Sequence, residues 1–461
     1  MPSDASGLAL DNVGMFSQHK FVDVDTIGFE NVKDKNDVRL LLLSAPSASL
    51  LSLKIENYSK NPSILPNAKE THEHCNKYRH AVLYSTVENL SDALSKNPSK
   101  LLVNIEAPPK ICFLITCQAT QYTGMGREVY GWNPVFRRHF DACNAIIEED
   151  FGLSVKSLLD SEDGAWVNDP LQALPYILCL EYALSKLWES WGITPDFVLG
   201  MSFGEYGAAV ISGIISLRDA VKLIMTRTKL VTDNIKEEAF GVVEMNSTEF
   251  SQIMKELRAE EGMEDAWLEI ACVNSPLQTC VVGPRCYLHK FVDLCKEKGF
   301  KVMTLDPYHP YHSRLTAPVI PKFEETTSQV EYKKTSNGTF ISTVNNGKVM
   351  KTLDKNYFLD HLQGPALFAD AIKTVLKDEG VTHFLEVGSH PINIQMVKDI
   401  IDKKYPEMGT DFQFYSSLQR KSSDRLMLLN TLGKLYTAGF NIKWENVNDN
   451  VNNINIADLG V

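Results

Sequence analysis

The stretch that decides the fold of this chain is Val198-Leu199-Gly200-Met201-Ser202-Phe203-Gly204-Glu205-Tyr206-Gly207-Ala208-Ala209. An apolar run over 197–199 predicts a buried strand, and the small residues that follow predict a helix that reaches Ile211. Between them lies a Gly-x-Ser-x-Gly turn, and this strand–turn–helix context is typical of a nucleophile elbow. A serine in so tight a turn needs neighbours without side chains, which Gly200 and Gly204 supply. We therefore predict that Ser202 is a catalytic nucleophile; a plain strand–helix connection is the alternative.

The composition favours a globular enzyme and excludes several classes of partner. With 461 residues, 44% of them hydrophobic, the chain can form one large catalytic unit with flanking modules. The formal net charge of −12 argues against binding to nucleic acids or anionic membranes. No apolar run reaches about 18 residues and no secretory signal is present, so we expect no membrane span and no export. Nine cysteines without regular spacing are typical of reduced thiols, which predicts a cytoplasmic protein.

The hydrophobic pattern divides the chain into segments. Residues 1–37 show no sustained period and predict an irregular leader, whereas 38–108 predict a small α/β module. Residues 236–305 follow a β-α-β-β-α-β rhythm, which predicts a ferredoxin-like insert. The cluster His72-Glu73-His74-Cys75 contains metal-ligating residue types, but it lacks a second, distant pair of ligands. We therefore expect no metal site.

Two loops follow predicted strands and are candidates for chemistry. The small-residue loop at 116–126 would bring backbone N–H groups close to a neighbouring site, although its Gly124/Gly126 pair is weak evidence for phosphate binding. The loop at 306–313 has the sequence Asp306-Pro307-Tyr308-His309-Pro310-Tyr311-His312-Ser313, and its prolines make it rigid. Rigid loops placed by a scaffold often carry catalytic side chains.

An arginine lies on the apolar face of a predicted helix. This helix begins at a Ser216–Asp219 capping box and ends near Asn234. Arg227 falls on the same 3.6-residue stripe as the inward-facing residues Ala220, Leu223, Ile224, Leu230 and Val231. A guanidinium that faces inward is costly unless it is paired. Either it bridges a buried carboxylate of the protein or it binds a carboxylate ligand, and the pattern favours neither.

The segments around Gln118, Ser202, Arg227 and His312 together resemble the malonyl/acyl-CoA:acyl-carrier-protein transacylases, and most of all the acyltransferase domains of type I polyketide synthases. The matching segments are the family's first loop (117–121 and 124–126), its Gly-His-Ser-x-Gly-Glu elbow (200–205), the arginine of its basic helix (227) and its His-Ala-Phe-His-Ser loop (309–313). The resemblance covers about 109–405, which we predict to be the acyltransferase domain, and 406–461 form a tail that follows it.

The resemblance implies an α/β fold with an α/β-hydrolase-like core and an inserted ferredoxin-like subdomain, preceded by a linker module at 38–108. The chain also departs from the family's motifs. Met201 replaces the histidine before the nucleophile, Cys117 and Ala119 replace loop glycines, and Ser389 replaces a proline. None of these changes removes a catalytic atom, but Met201 alters the wall of the substrate pocket.

For the chemistry, the resemblance implies a Ser–His dyad. His312 would accept the proton of Ser202 during attack on an acyl thioester and then protonate the leaving thiolate. A backbone carbonyl near Leu367 would orient His312. His309, on the same loop, is the competing base, and its structural role is the favoured interpretation.

For the substrate, the resemblance implies an oxyanion hole and an acyl pocket. Backbone N–H groups of Gln118 and Phe203 would hold the oxyanion. Arg227 would bind the free carboxylate of a malonyl group bidentately. Met201 and Tyr311 would contact the acyl group. In the family an aromatic residue before the base accompanies malonyl and a serine accompanies methylmalonyl, so Tyr311 implies malonyl.

The predicted function is transfer of malonyl from malonyl-CoA, the substrate, to the phosphopantetheine thiol of an acyl carrier protein of a polyketide or fatty acid synthase. No bound cofactor and no metal are expected. Because no ketosynthase sequence precedes residue 38, we expect action in trans. The alternatives are an acyl-thioester hydrolase on the same scaffold and a degenerate domain used for docking. Basic residues that could contact an acidic carrier are Arg127, Arg137, Arg138, Lys403 and Lys404, and scattered solvated charges are an equal interpretation of them.

Overall fold

A computed structural model gives the fold for residues 38–61, 77–95, 108–236, 238–409 and 411–449. The expected leader at 1–37, the cluster at 72–75 and the last residues of the expected tail lie outside these ranges.

The strands, in chain order, are β1 (Arg39–Ala45), β2 (Tyr78–Tyr84), β3 (Ile111–Ile115), β4 (Phe197–Gly200), β5 (Glu238–Val243), β6 (Glu269–Ser275), β7 (Gln278–Gly283), β8 (Val302–Tyr308), β9 (Thr339–Ile341), β10 (Val349–Met350), β11 (His383–Val387) and β12 (Gln413–Ser416). The helices are α1 (Ala48–Lys60), α2 (Val87–Ser95), α3 (Arg127–Trp132), α4 (Pro134–Phe151), α5 (Pro170–Ser190), α6 (Gly204–Ile211), α7 (Leu217–Asn234), α8 (Ser247–Leu257), α9 (Arg285–Glu297), α10 (Ile320–Thr327), α11 (Tyr357–Gln363), α12 (Phe368–Lys373), α13 (Asn393–Lys404), α14 (Asp424–Thr437) and α15 (Trp444–Asp449).

A six-stranded sheet with the order β10-β9-β4-β3-β11-β12 forms the centre of the molecule. All its neighbouring strands run parallel except the edge strand β10. Every residue of β3 and β4 is buried, as expected for central strands covered on both faces. In the register of the sheet Ile115 pairs with Gly200 and with Val387, so β3, β4 and β11 end side by side. The loops that follow these three strands therefore meet at one edge of the sheet.

One helix is interrupted where the sequence predicts none, and the cap of a second helix differs from the expected capping box in one hydrogen bond. The residue pattern over 127–149 predicts one helical stretch, but the helix is broken at Asn133, because its side chain accepts hydrogen bonds from two backbone N–H groups and Pro134 opens α4. Ser216 caps α7 as expected, but Asp219 accepts a hydrogen bond from the Ser216 hydroxyl (2.6 Å) rather than from its backbone N–H. Among the described helices, none is long and apolar enough to cross a membrane.

A four-stranded antiparallel sheet with the order β6-β7-β5-β8 lies beside the central sheet, and α8 and α9 complete a β-α-β-β-α-β unit. Its alternating residues face two cores. Val243 and Val281 pack with α8 and α9, whereas Val242 and Cys280 belong to the core shared with the central sheet. The segment 236–305 therefore contains these elements, and its interpretation as a ferredoxin-like insert stays a prediction.

The N-terminal strands β1 and β2 pair antiparallel and pack on α1 and α2 around a separate small core. Their other face contacts α14, where Gly433 lies beside Leu40 and Ala81. The buried Arg79 also donates a hydrogen bond to the carbonyl oxygen of Phe440 (3.0 Å). The segment after β12 therefore returns to contact the N-terminal strands.

Candidate active site

Ser202 occupies a strained turn between β4 and α6. Its φ angle is 51°, in the left-handed region that residues with a side chain rarely adopt. A Cβ atom on Gly200 would lie 2.2 Å from the backbone of Gly204, and one on Gly204 would lie 2.4 Å from the carbonyl oxygen of Thr116. Both glycines are therefore required by close backbone packing, and the turn presents Ser202 at the start of a helix.

The turn brings Ser202 to His312, from the loop after β8. Ser202 Oγ lies 2.6 Å from His312 Nε2, and His312 Nδ1 lies 3.1 Å from the carbonyl oxygen of Gly364. Because a carbonyl only accepts, Nδ1 carries the proton and Nε2 is free to accept one from Ser202. Burial, and then the nearby charge of Arg227, lower the pKa of His312 to about 4. The imidazole is therefore neutral at neutral pH and able to act as a base.

The resemblance implied an orienting carbonyl near Leu367, and the carbonyl that contacts His312 lies three residues before Leu367. It belongs to Gly364, immediately after the end of α11. The backbone N–H of Leu367 instead binds the carbonyl of Thr343, 2.9 Å away, in a separate contact. The resemblance gave only this approximate position, and the end of α11 decides which carbonyl faces the histidine. His309 lies on the same loop, edge-on to Tyr311 with ring centroids 5.9 Å apart.

His361 is a buried histidine that the sequence did not single out, and it hydrogen-bonds to the backbone of the turn that holds Ser202. His361 Nε2 donates a hydrogen bond to the carbonyl oxygen of Ser202 (2.9 Å), and its ring lies edge-on to that of His312 with centroids 5.0 Å apart. Burial, then the charges of His312 and Arg227, hold the pKa of His361 well below its usual value. Its only sequence signal is a lone histidine after Asp360 in the otherwise apolar segment 357–362.

Glu205, directly after the elbow, binds the protein itself. Its carboxylate accepts hydrogen bonds from the N–H (2.6 Å) and hydroxyl (2.8 Å) of Thr343 and from the hydroxyl of Tyr357 (2.8 Å). Burial raises its pKa to about 7, and these hydrogen bonds oppose that rise. Glu205 therefore links α6 to the segments after β9 and at α11.

The loop after β3 is the candidate source of oxyanion donors. Gln121 fixes it, since its side chain accepts a hydrogen bond from Ala119 N–H (2.7 Å) and donates one to the carbonyl of Val167 (2.9 Å). Ala119 has a φ of 85°, although an alanine stands where the family has a glycine. In the described part of the chain, the backbone N–H groups of Gln118 and Phe203 donate no hydrogen bond to the protein. Both are available to a ligand.

Arg227 is buried beside the dyad, with 2% of its surface exposed. Across the described ranges, its Nε and Nη1 atoms have no hydrogen-bond partner and no carboxylate forms an ion pair with it. Its guanidinium carbon lies 4.2 Å from the ring centroid of Tyr311 and 5.4 Å from that of Tyr206. Of the two alternatives left open by the sequence, pairing with a protein carboxylate is not seen among the described residues. The arrangement can accept an anion.

The remaining predicted residues lie in different surroundings. Met201 is buried in the apolar core between the central sheet and the four-stranded sheet, and Tyr311 is buried over Arg227. The five basic residues considered for carrier docking are spread over α3, α4 and α13. Arg127 lies 3.3 Å from Asp160, and Arg137 donates to the carbonyl of Tyr130. Within the described ranges, no cluster of three or more His, Cys, Asp or Glu side chains is arranged to hold a metal.

Comparison with known proteins identifies the family to which this chain is similar. The acyl transferase domain family matches residues 112–442. A polyketide synthase of conidial yellow pigment biosynthesis from Penicillium expansum is 28% identical over 445 residues, which cover 90% of this chain and 20% of that protein. The chain spans about a fifth of the length of the curated relatives it matches.

Solved structures show the same fold at low sequence identity. The acyl transferase domain of ZmaA matches with a TM-score of 0.77 and 21% identity, over 91% of this chain and 98% of that domain. The malonyl transacylase PlMCAT, solved in complex with the type II polyketide synthase acyl-carrier protein AntF, matches with a TM-score of 0.60 and 20% identity, over 69% of this chain and 99% of that chain. The mixed α/β fold predicted from the sequence is confirmed.

Proposed function

Since this chain belongs to the acyl transferase domain family, as its motifs predicted, we propose that it moves a malonyl group from malonyl-CoA to the phosphopantetheine thiol of an acyl carrier protein. The observation that carries the proposal is the 2.6 Å contact between Ser202 Oγ and His312 Nε2 beside the buried guanidinium of Arg227, which has no partner among the residues that the structure describes. A nucleophile, its base and a site for a free carboxylate are the parts that malonyl transfer requires.

The first half-reaction acylates Ser202. Its Oγ attacks the thioester carbonyl while His312 Nε2 takes the hydroxyl proton. The negative charge that develops on the carbonyl oxygen is stabilised by the N–H groups of Gln118 and Phe203. The C–S bond then breaks, and the proton passes from His312 to the departing CoA sulfur. The acyl group is left as an ester on Ser202.

The second half-reaction repeats these steps in reverse with a new thiol. His312 takes the proton of the carrier's phosphopantetheine thiol, the sulfur attacks the seryl ester, and the same N–H groups hold the oxyanion. Collapse returns the proton to Ser202 Oγ and leaves a thioester on the carrier. The Gly364 carbonyl keeps the imidazole oriented in both halves, since it binds the opposite ring nitrogen.

Selection of malonyl rests on Arg227 and Tyr311. A carboxylate placed on the guanidinium would receive charge-assisted hydrogen bonds in a site closed to water, where they are strongest. An acetyl group offers no such partner. The ring of Tyr311, packed on the guanidinium at 4.2 Å, fills space beside the acyl group, and we propose that it disfavours an α-methyl branch.

The partner we propose is a carrier protein or carrier domain of a polyketide synthase. The complex of PlMCAT with its acyl-carrier protein and the polyketide synthase relatives support this choice. Those relatives are much longer than this chain, so they lend no support to the expectation of action in trans.

Intact-mass measurement after mixing the protein with malonyl-CoA tests the proposal. A malonyl adduct should form and then disappear when a phosphopantetheinylated carrier is added, with the malonyl mass appearing on the carrier. Free malonate without carrier loading would instead indicate the hydrolase alternative. An unmodified protein would indicate the degenerate one.

A further inference from the structure

Two buried tyrosines share the surroundings of Arg227. Tyr206, on α6, has no exposed surface, and Tyr311, on the loop before His312, has 3%. Their rings lie 5.4 Å and 4.2 Å from the guanidinium carbon. In the part of the chain that the structure describes, neither hydroxyl has a hydrogen-bond partner, and the same holds for Nε and Nη1 of Arg227. Besides such atoms elsewhere in the molecule, four buried polar atoms without a described partner therefore belong to three side chains that pack against one another.

This concentration contrasts with how the fold treats other buried tyrosines near the site. The hydroxyl of Tyr357 lies 2.8 Å from Glu205 and 2.7 Å from Ser342, and that of Tyr176 donates to the carbonyl of Met125 (2.7 Å). Leaving a buried hydroxyl unpaired costs stability. A ligand that completes these hydrogen bonds would repay that cost.

The unpaired atoms define the chemistry of such a ligand. Arg227 can only donate hydrogen bonds. Burial raises the pKa of Tyr206 to about 12 and also raises that of Tyr311, so both hydroxyls keep their protons at neutral pH and can donate. A carboxylate only accepts, and its two oxygens offer about four lone-pair sites. A bidentate guanidinium fills two of them, which leaves one for each hydroxyl.

We propose that the hydroxyls of Tyr206 and Tyr311 donate hydrogen bonds to the free carboxylate of the acyl group and form, with Arg227, one three-sided carboxylate pocket. This inference rests on the proposed function and extends it. Arg227 supplies the charge, and the two hydroxyls fix the orientation of the carboxylate. The substrate class is a dicarboxylic acid carried as a thioester at one end. Tyr311 acquires a polar role besides the steric one inferred from the sequence.

The test compares Tyr206→Phe and Tyr311→Phe with a matched control. Tyr415→Phe also removes a buried hydroxyl without a partner among the described residues, but from β12, beside His383. Each variant is mixed with malonyl-CoA or acetyl-CoA, and the rate of seryl-adduct formation is measured by intact mass. The ratio of malonyl to acetyl specificity constants should fall about 10-fold in each pocket variant, because each loses one hydrogen bond to a charged group. It should not change in Tyr415→Phe.

Thermal unfolding of the ligand-free proteins separates lost binding from misfolding. Since neither hydroxyl has a partner among the described residues, Tyr206→Phe and Tyr311→Phe should unfold at the same temperature as the unmodified protein or above it. An unchanged malonyl-to-acetyl ratio in both pocket variants would overturn the pocket while leaving the proposed function intact. Failure of the unmodified protein to form a malonyl adduct would overturn the proposed function itself.

Discussion

His312 and the pocket around Arg227 are buried and Ser202 is half-buried, yet the protein satisfies the polar atoms of the Ser202–His312 dyad and of the pocket to different degrees. At the dyad, Ser202 Oγ and both ring nitrogens of His312 have hydrogen-bond partners within the chain. In the pocket, Nε and Nη1 of Arg227 have none among the described residues. Reacting groups must be aligned before substrate arrives, so the fold fixes them. Groups that recognise the charge of a substrate can instead obtain their hydrogen-bond partners from the substrate itself.

The largest effect is expected from substitution of the dyad residues Ser202 and His312, which the protein holds in place. Ser202→Ala should abolish the malonyl adduct, because it removes the hydroxyl that we propose attacks the thioester. Intact mass after malonyl-CoA treatment measures it. His312→Ala should slow acylation by roughly 10²–10⁴-fold. His309→Ala is the matched control on the same loop and should slow it far less. A malonyl adduct on the Ser202→Ala protein, or the opposite ranking of the histidines, would exclude our assignment.

Removing the charge of the pocket should have the next largest effect. Arg227→Ala should lower the specificity constant for malonyl by on the order of 2–4 kcal/mol, because charge-assisted hydrogen bonds in a dry site are lost. Acetyl should lose less, so the competition between malonyl-CoA and acetyl-CoA shifts towards acetyl. Arg227→Lys keeps the charge without the bidentate geometry and should be intermediate. Equal losses for both acyl groups would show that Arg227 only supports the fold.

Enlarging the pocket should change selectivity more modestly. Tyr311→Ser should relax the preference for malonyl over methylmalonyl, which we expect to be about 5- to 150-fold from an overpacking cost of roughly 1–3 kcal/mol. Tyr311→Phe is the control, since it keeps the ring and should keep this preference. Loading of one carrier from a mixture of the two CoA esters measures both. Comparable loading of methylmalonyl by the unmodified protein would contradict the steric explanation.

The smallest expected effect is a shift in the pH dependence of acylation, because the charge of Arg227 in the pocket acts on His312 of the dyad. Acylation needs neutral His312, so its rate should be full at neutral pH and fall only as the pH drops through about 4. Arg227 contributes to this low pKa, after burial. Arg227→Ala should therefore move the midpoint of the acid limb upward, and Tyr415→Phe should leave it in place. The pH dependence of the acylation rate constant decides it; an unmoved midpoint would show that burial alone sets the pKa.

The sequence determined those parts of the site that depend on local sterics and periodicity. Gly200 and Gly204 predict the strained turn because any Cβ there collides with the backbone a few residues away or on the adjacent loop. The inward position of Arg227 follows from the 3.6-residue stripe, whatever packs against the helix. The pairing of residues as distant as Ser202 and His312 came only from the family resemblance, since nothing in the local sequence joins them.

Tertiary structure alone decided which partners these residues have. The end of α11 decides that the carbonyl of Gly364, within the region near Leu367, contacts His312, and the same helix places His361 against the backbone of Ser202. Neither contact leaves a local pattern, because the groups that meet lie far apart along the chain. The absence of a protein carboxylate beside Arg227 in the described residues is of the same kind. Periodicity determines which way a side chain faces, but only the packing of separate elements determines what it meets.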